Sequence, residues 1–206
     1  MKKQLPPKAI VLAVTGSLGS GKSSVARILK GLGLAVLDAD AIAHDCIKPR
    51  KPAYRKIVSL FGKEVLKKDR SIDRSKLGKQ VFRDGLLLKR LNSIVHPWVI
   101  EVIKKEIRKA RLRNKPIVLD VPLLVEAGLD RLVDKIIVVK ASAETQLRRV
   151  AKKTKLSRRE IKIRIKTQIP LRAKMRLADF IIDNSGTRES TRKQVEKVVR
   201  RLIPNP

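Results

Sequence analysis

Hydrophobic residues concentrate in five short continuous runs, at 10–14, 34–37, 117–121, 135–139 and 180–182. The runs are rich in β-branched residues and do not alternate with polar residues. Such runs are typical of parallel strands that are covered on both faces, since no face is left for water. The segments between them repeat hydrophobic residues at helical spacing, which indicates right-handed βαβ units. The pattern therefore predicts an α/β fold with a doubly wound, five-stranded parallel sheet.

Two segments between the predicted strands are too long to be single crossovers. Residues 41–114 carry Leu, Ile and Val at the spacing of several helices, and we interpret them as a helical insertion that covers the substrate. Residues 141–176 are dense in Arg and Lys and predict a small helical lid, in which Ser157 and Glu160 form a capping box. The predicted core is 9–40 and 115–206, and the lid lies within it.

A glycine-rich loop directly follows the first predicted strand. Its sequence, GSLGSGKS at 16–23, fits the pattern Gly-x4-Gly-Lys-Ser and leads into an amphipathic helical pattern. Glycines let backbone N–H groups converge on phosphate oxygens, Lys22 would reach the β- and γ-phosphates, and the Ser23 hydroxyl would ligate Mg²⁺. The alternative is an ordinary turn, but the strand before the loop and the helix after it favour a P-loop that binds a nucleoside triphosphate. The nucleotide-binding residues it predicts are Gly16, Gly19, Ser20, Gly21, Lys22, Ser23 and Ser24.

The chain is strongly basic, with 50 Lys and Arg against 19 Asp and Glu and a net charge of +31. Two interpretations stay open: attraction of anionic substrates or nucleic acid, and a general bias that spreads basic residues over solvated helix faces. Aromatic residues make up only 2%, which leaves few stacking surfaces for single-stranded nucleic acid. We favour the second interpretation, with non-specific polyanion binding as a side effect.

The composition argues against a membrane protein and against a disulfide-stabilised one. The sequence contains no apolar stretch of about 18 residues, the length that a membrane span requires. Cys46 is the only cysteine, which excludes an intramolecular disulfide and fits a reducing compartment. We expect a cytoplasmic protein that is a monomer or a weak oligomer.

Three carboxylates follow predicted strands at the carboxyl edge of the sheet, where open α/β sheets bind ligands. Asp38 and Asp40 follow the second strand. One of them can orient or deprotonate an attacking hydroxyl, and the other can hold a Mg²⁺-bound water. The alternative is that either residue only caps a helix starting near Ala41. For Asp120, at the end of the third strand, Mg²⁺ binding and a structural role both stay open.

Seven motif stretches are distributed over nearly the whole chain. They read TGSLGSGKSSVA at 15–26, DADAIAH at 38–44, LNSIVHP at 91–97, LDVPLLVE at 119–126, QLRR at 146–149, QIP at 168–170 and ADFIIDNSG at 178–186. Many nucleotide-binding proteins share the glycine-rich loop, but this combination is restrictive, and it resembles the dephospho-CoA kinase family. The resemblance implies a P-loop kinase with a five-stranded parallel sheet, a helical substrate domain and a small lid. It also implies Mg²⁺-dependent transfer of the ATP γ-phosphoryl to the ribose 3′-hydroxyl of dephospho-CoA, the last step of coenzyme A synthesis.

The resemblance further implies roles for single residues. Asp40 would receive or orient the proton of the attacking hydroxyl, and Arg149 would come from the lid onto the triphosphate. Thr15 would lie near the substrate ribose or the transferred phosphate. The other implied substrate contacts are His96, Leu123, Leu124 and Glu126. The loop that flanks adenine would contain Asn184 and Gly186.

Purely structural roles stay open as alternatives for several of these residues. His96 could end a helix before Pro97, and Glu126 could be a helix-start residue. The family usually has a second lid arginine where this chain has Lys153, which keeps the charge but loses the planar, bidentate fork. Arg148 and Lys152 could compensate, so the lid cation that meets the γ-phosphate stays open.

Two rival functions remain at this stage. The charge suggests a nucleic-acid-binding protein on a P-loop scaffold, but the chain contains no recognised nucleic-acid module. A small-molecule kinase acting on a nucleoside or nucleotide is the other rival, and the stretches DAD, IVHP and DVPLL argue against it because they belong to the substrate side. We therefore predict a dephospho-CoA kinase that uses ATP and Mg²⁺.

Overall fold

The computed structural model describes residues 9–154 and 156–203, and its central element is a parallel sheet. The strands are β1 (Val11–Gly16), β2 (Ala35–Asp38), β3 (Ile117–Asp120), β4 (Lys135–Lys140) and β5 (Phe180–Asp183). Their order across the sheet is β2-β3-β1-β4-β5, and every neighbouring pair is parallel. The predicted α/β class, strand number and strand direction are confirmed. The strand bounds agree with the hydrophobic runs to within two residues at each end.

Burial differs between the centre and the edges of the sheet. β1 and β3 are buried throughout, and β4 is buried except at its two ends. The expectation that all five strands are buried on both faces is wrong for β2 and β5, which are partly exposed. Both are edge strands of the sheet order, so one side of each has no neighbouring strand.

Two helices pack close to the sheet and complete the main core. α1 (Lys22–Gly31) follows the glycine-rich loop, and α9 (Arg188–Leu202) follows β5. Their apolar stripes join the strands in one buried cluster, which contains Leu12, Val14, Val118, Ile137, Val25, Leu29, Val195, Val198 and Val199. This core fixes the carboxyl ends of the strands, where the candidate site lies.

The chain divides into two compact units. One contains the residues up to Asp38 and those from Lys105 onward, and the other is 39–104. The second unit contains α2 (Ala39–Cys46), α3 (Pro52–Phe61), α4 (Arg74–Val81) and the first part of α5 (Gly85–Leu112). Its own core consists of Ile57, Phe61, Val65, Ile72, Leu77 and Val81. Asp73 caps α4 by accepting hydrogen bonds from the N–H groups of Ser75 and Lys76.

The second unit ends earlier in the chain than the predicted insertion, 41–114, because α5 is one helix of 28 residues that contributes to both units. The alternative that His96 ends a helix before Pro97 is wrong, since α5 continues through Pro97. A proline inside a helix removes one backbone donor, but the helix still forms where packing supports it.

The described residues between β4 and β5, in the predicted lid region, form three helices. They are α6 (Ala143–Lys153), α7 (Arg158–Lys166) and α8 (Leu171–Arg176). α6 and α7 contact each other. The predicted capping box is confirmed: Ser157 Oγ accepts from the Glu160 N–H, and the Glu160 carboxylate accepts from the Ser157 N–H. Within the described part of the chain, no helix is long and apolar enough to span a bilayer.

Candidate active site

The glycine-rich loop connects β1 to α1 in a conformation that only glycine adopts readily at its key positions. Gly21 has φ of +87° and precedes Lys22, the first residue of α1. A Cβ atom on Gly16 would lie 2.5 Å from the carbonyl oxygen of Val139 on β4. Within the described residues no side chain caps α1. The first N–H groups of this helix are therefore available to an anion, which is the geometry of a phosphate-binding loop.

Lys22 forms an ion pair with Asp120, and both side chains are nearly buried, with exposures of 14% and 7%. Asp120 ends β3, which lies between β1 and β2 in the sheet. In the strand register, Asp120 pairs with Val14 on one side and with Asp38 on the other. The predicted loop lysine and two of the predicted carboxylates thus lie at one edge of the sheet. The edge is the carboxyl end, as the sequence predicts.

The loop is held from the other side by Asn184, which follows β5. The Asn184 side-chain amide donates to the carbonyl oxygen of Ser20 at 2.8 Å, and its Oδ1 accepts from the Thr191 hydroxyl at 2.9 Å. The guanidinium of Arg149, on α6, donates to the same Ser20 carbonyl at 3.3 Å and to the Asn184 carbonyl at 2.9 Å. These contacts make a clamp, the Asn184–Arg149 clamp, which fixes the backbone of the loop next to Gly21.

The clamp bears on two predicted site residues. Both amide atoms of the buried Asn184 bond to protein, so its observed contacts position the loop. Arg149 likewise contacts backbone carbonyls in this structure. Gly186 lies in an exposed bend before α9. The contacts of Asn184 and Gly186 with adenine, and of Arg149 with the triphosphate, stay predictions.

A carboxylate beside the clamp is held in its charged form. The hydroxyl and N–H of Ser185 hydrogen-bond to Asp183, and with Lys140 nearby they keep the pKa of that carboxyl below its usual range. Asp183 is the last residue of β5 and directly precedes Asn184. The loop after β5 therefore has its own local hydrogen bonds before it reaches the phosphate-binding loop.

The residues after β3 form a turn that contains three of the predicted substrate contacts. Leu124 is fully buried, Leu123 is partly buried, and the carboxylate of Glu126 accepts from the N–H of Ile169 at 2.9 Å. Thr15 is also fully buried, and its hydroxyl donates to the carbonyl oxygen of Pro122 at 3.1 Å. The structure thus brings Thr15 and this turn together, while contact with substrate stays a prediction.

The remaining predicted residues belong to the unit 39–104. Asp40 is the second residue of α2 and is exposed, and His96 is partly buried within α5. Both side chains interact with other residues of the protein. The role of Asp40 toward the attacking hydroxyl and the contact of His96 with substrate stay predictions.

Sequence reasoning missed two side chains that shape the site. Gln168 accepts a hydrogen bond from the Leu18 N–H of the loop at 3.1 Å. Lys174 on α8 is completely buried and contacts the turn after β3. The stretch QIP does match the family motif at Gln168, and this was the available signal. No comparable signal marks Lys174, since it is one of 50 basic residues.

The chain is similar to dephospho-CoA kinases along most of its length. The family profile described as dephospho-CoA kinase matches residues 10–190. The dephospho-CoA kinase of Carboxydothermus hydrogenoformans is 47% identical over 192 residues, covering 93% of this chain and 93% of that protein. A solved structure from Thermus thermophilus superposes with a TM-score of 0.79 at 32% identity, covering 95% of this chain and 98% of the other.

A second solved structure carries the family name itself. The dephospho-CoA kinase from Campylobacter jejuni matches with a TM-score of 0.69 at 32% identity, covering 93% of this chain and 96% of that one. The strand order, the phosphate-binding loop with its Lys22–Asp120 pair, and these similarities lead to one assignment. The chain belongs to the dephospho-CoA kinase family.

Proposed function

We propose that this protein transfers the γ-phosphoryl group of ATP to the ribose 3′-hydroxyl of dephospho-CoA, forming CoA and ADP. The observation that carries the proposal is the Lys22–Asp120 ion pair at the mouth of a glycine-rich loop, in a chain of this family. The pair keeps the ammonium of Lys22 at the carboxyl edge of the sheet. An incoming triphosphate would compete with Asp120 for that ammonium, which supports a role for Lys22 in binding the β- and γ-phosphates.

The loop and the lid share the task of stabilising charge. The N–H groups at the start of α1 bind phosphate oxygens, with Gly16, Gly19, Ser20 and Gly21 shaping the cradle. Cations of α6 would then approach the transferring group as its charge spreads over the equatorial oxygens. Arg149 is the candidate favoured by the family resemblance, with Arg148, Lys152 and Lys153 beside it. Closure of the helices 141–176 would exclude water and so suppress ATP hydrolysis.

Magnesium is part of the proposal because the donor set suits it. The site edge offers the hydroxyl of Ser23 and the carboxylates of Asp38 and Asp120, and hard oxygen ligands are those Mg²⁺ prefers. Among the described residues, no three His, Cys, Asp or Glu side chains converge on one point. Phosphate oxygens and water would therefore supply most of the coordination, as is usual for this ion. When bound, Mg²⁺ neutralises phosphate charge.

The acceptor side follows from the family resemblance. Asp40 orients the 3′-hydroxyl and accepts its proton as the oxygen attacks the γ-phosphorus in line. Thr15, His96 and Glu126 contact polar parts of dephospho-CoA. Leu123 and Leu124 form the floor beneath it. Positioning of the two substrates supplies much of the rate in such a reaction.

The excess charge supports a weak additional affinity for polyanions. Two open surface depressions of about 390 and 410 Å³ are lined by residues of α6 and α7, and both include Arg158. Their charged lining residues are Glu144, Arg148, Lys152, Arg158, Arg159, Lys162 and Lys166. This surface would attract phosphate-rich molecules without recognising their sequence.

We propose a cytoplasmic monomer or weak oligomer whose specific substrate is dephospho-CoA.

The position of the new phosphate tests the function. The protein is incubated with ATP, Mg²⁺ and dephospho-CoA, and the product is examined by phosphorus NMR and mass spectrometry. A phosphomonoester on the ribose 3′-oxygen, formed in equal amount to ADP, is expected. A phosphate on another hydroxyl, or ADP without phosphorylated product, would contradict the proposal.

A further inference from the structure

Lys174 is the largest charged side chain buried completely in the described part of the chain. Its ammonium donates to the carbonyl oxygen of Pro122 at 2.8 Å and lies 2.9 Å from Glu126 Oε1. A buried charge is tolerated only when it is paired and hydrogen-bonded. Lys174 satisfies this condition through a single segment, the turn that follows β3. Its burial therefore fixes that turn.

The turn connects Lys174 to the end of β1. The hydroxyl of Thr15 donates to the same carbonyl oxygen of Pro122, at 3.1 Å. Asp120, the partner of Lys22, lies two residues before Pro122. One backbone carbonyl is thus shared by a buried lysine and a buried threonine directly beside the phosphate-binding loop. A shift of this carbonyl would move both the strand end and the carboxylate that holds Lys22.

The Lys174–Glu126 ion pair also contacts the segment that connects two helices of the predicted lid region. Glu126 Oε1 accepts from the Ile169 N–H at 2.9 Å, and the preceding side chain, Gln168, accepts from the Leu18 N–H at 3.1 Å. Residues 167–170 connect α7 to α8. Glu126 Oε2 is buried and has no hydrogen-bond partner among the described residues. The carboxylate therefore depends on Lys174 for the compensation of its charge.

We propose that Lys174 is a positioning residue for phosphoryl transfer. Through Pro122 and Glu126, its ammonium joins three parts of the site: the end of β1 at Thr15, the turn after Asp120, and the α7–α8 connection at Ile169. The inference rests on the proposed function, and it adds a residue that lies between two of the motif stretches, 168–170 and 178–186. Lys174 contacts no reacting atom in this account, because it acts through Pro122 and Glu126.

The direct test is Lys174→Met, which keeps most of the side-chain volume and removes the charge. We expect kcat to fall by roughly 10- to 100-fold, because small misplacements of reacting groups have effects of this size. The KM values for ATP and dephospho-CoA should stay within about threefold of wild type, since no substrate contact is removed. Urea unfolding and circular dichroism at the assay temperature establish that the variant is folded.

The matched control is Lys135→Met. Lys135 forms an ion pair with Asp179 at 2.7 Å, is 42% exposed, and lies at the amino end of β4, away from the phosphate-binding loop. The chemical change is the same, and kcat should remain at the wild-type value. A merely structural role for Lys174 predicts lower stability of both variants with kcat unchanged in the folded protein. That result would overturn the proposal.

Glu126→Gln keeps the proposal testable if Lys174→Met does not fold. The glutamine retains an oxygen acceptor for Lys174 and for the Ile169 N–H, but loses the charge. A lowered kcat is expected, whereas the loss of a substrate contact alone would change only the KM for dephospho-CoA. A raised KM with unchanged kcat would mean that Glu126 only contacts substrate. Unchanged values of both constants would mean that the contacts between Lys174, Glu126 and Pro122 have no role in catalysis. Either result overturns the proposal. Failure of the wild-type protein to form CoA would instead reject the proposed function.

Discussion

The side-chain amide of Asn184 donates a hydrogen bond to the backbone carbonyl of Ser20, which lies 164 positions earlier in the chain. The bond is 2.8 Å long and buried. It connects the loop after the last strand to the phosphate-binding loop after the first. Because Arg149 donates to the same carbonyl, the loop conformation depends on two elements that are remote in sequence.

Asn184→Asp tests this clamp. The substitution places a carboxylate oxygen against the Ser20 carbonyl, so the bond is lost and a negative charge faces the phosphate site. We expect the affinity for ATP, measured by calorimetry, to fall about tenfold or more. Asn114→Asp, in an exposed turn, is the control and should bind ATP normally. An equal loss for ATP and GTP is expected from a clamp, whereas a loss confined to ATP would indicate direct adenine contact.

Gly21→Ala tests the conformation of the loop itself. Gly21 has φ of +87°, and a Cβ there would collide with the Asn184 amide. Gly33→Ala is a close control, because Gly33 has φ of +86° and no atom lies within 4 Å of its Cβ position. Backbone strain should cost each variant about 1–2 kcal/mol of unfolding free energy, and the collision with Asn184 adds to the loss in Gly21→Ala. Only Gly21→Ala should lose ATP binding, and normal binding by that variant would contradict the loop assignment.

Lys22→Met tests the positive charge at the end of the phosphate-binding loop. We expect kcat/KM for ATP to fall roughly 10²- to 10³-fold, the effect of removing one group that stabilises the transition state. Lys30→Met, in the last turn of the same helix, should leave kcat/KM unchanged. Steady-state ADP formation measures both. Equal activity of the two variants would remove Lys22 from the mechanism.

Acid should remove part of the stability through Asp179. Burial alone would raise the pKa of this carboxyl, but hydrogen bonds from Lys135 and from the Ile136 N–H outweigh it and hold the pKa below its usual range. A depressed pKa in the folded state gives stability that is full above the unfolded value, about 3.9, and is lost as the pH falls through the folded value. Asp179→Asn should therefore weaken urea resistance at pH 7 and reduce its fall toward pH 3. An unchanged pH profile would contradict this.

Salt should act on substrate capture more than on turnover. The net charge of +31 attracts anionic substrates, and added salt screens that attraction. Raising NaCl from about 50 to 300 mM is expected to increase the KM for dephospho-CoA by several-fold, with a smaller change in kcat. Initial rates over a matrix of salt and substrate concentrations give both constants. A KM independent of salt would mean that the excess positive charge lies away from the dephospho-CoA binding site.

The sequence was sufficient for the sheet and the loop, because both depend on local patterns. The hydrophobic runs gave every strand, and Gly-x4-Gly-Lys-Ser gave the turn into α1. Edge strands were less predictable, since exposure of β2 and β5 depends on the strand order rather than on their own residues. The same holds for α5, where tertiary packing keeps the helix continuous through Pro97.

Pairings between distant residues were beyond sequence reasoning. Nothing near Asn184 indicates that its amide reaches Ser20, and Lys174 resembles any other surface lysine until its burial is known. Such roles arise from the packing of elements that are far apart in the chain. Local periodicity and spacing carry no information about them.

The most direct test of the central claim is ADP release with ATP, Mg²⁺ and dephospho-CoA, run beside adenosine, AMP and a polynucleotide in place of dephospho-CoA. ADP is expected only with dephospho-CoA, matched one-to-one by newly formed CoA. No turnover with dephospho-CoA, together with ADP release stimulated by the polynucleotide or by another acceptor, would contradict it.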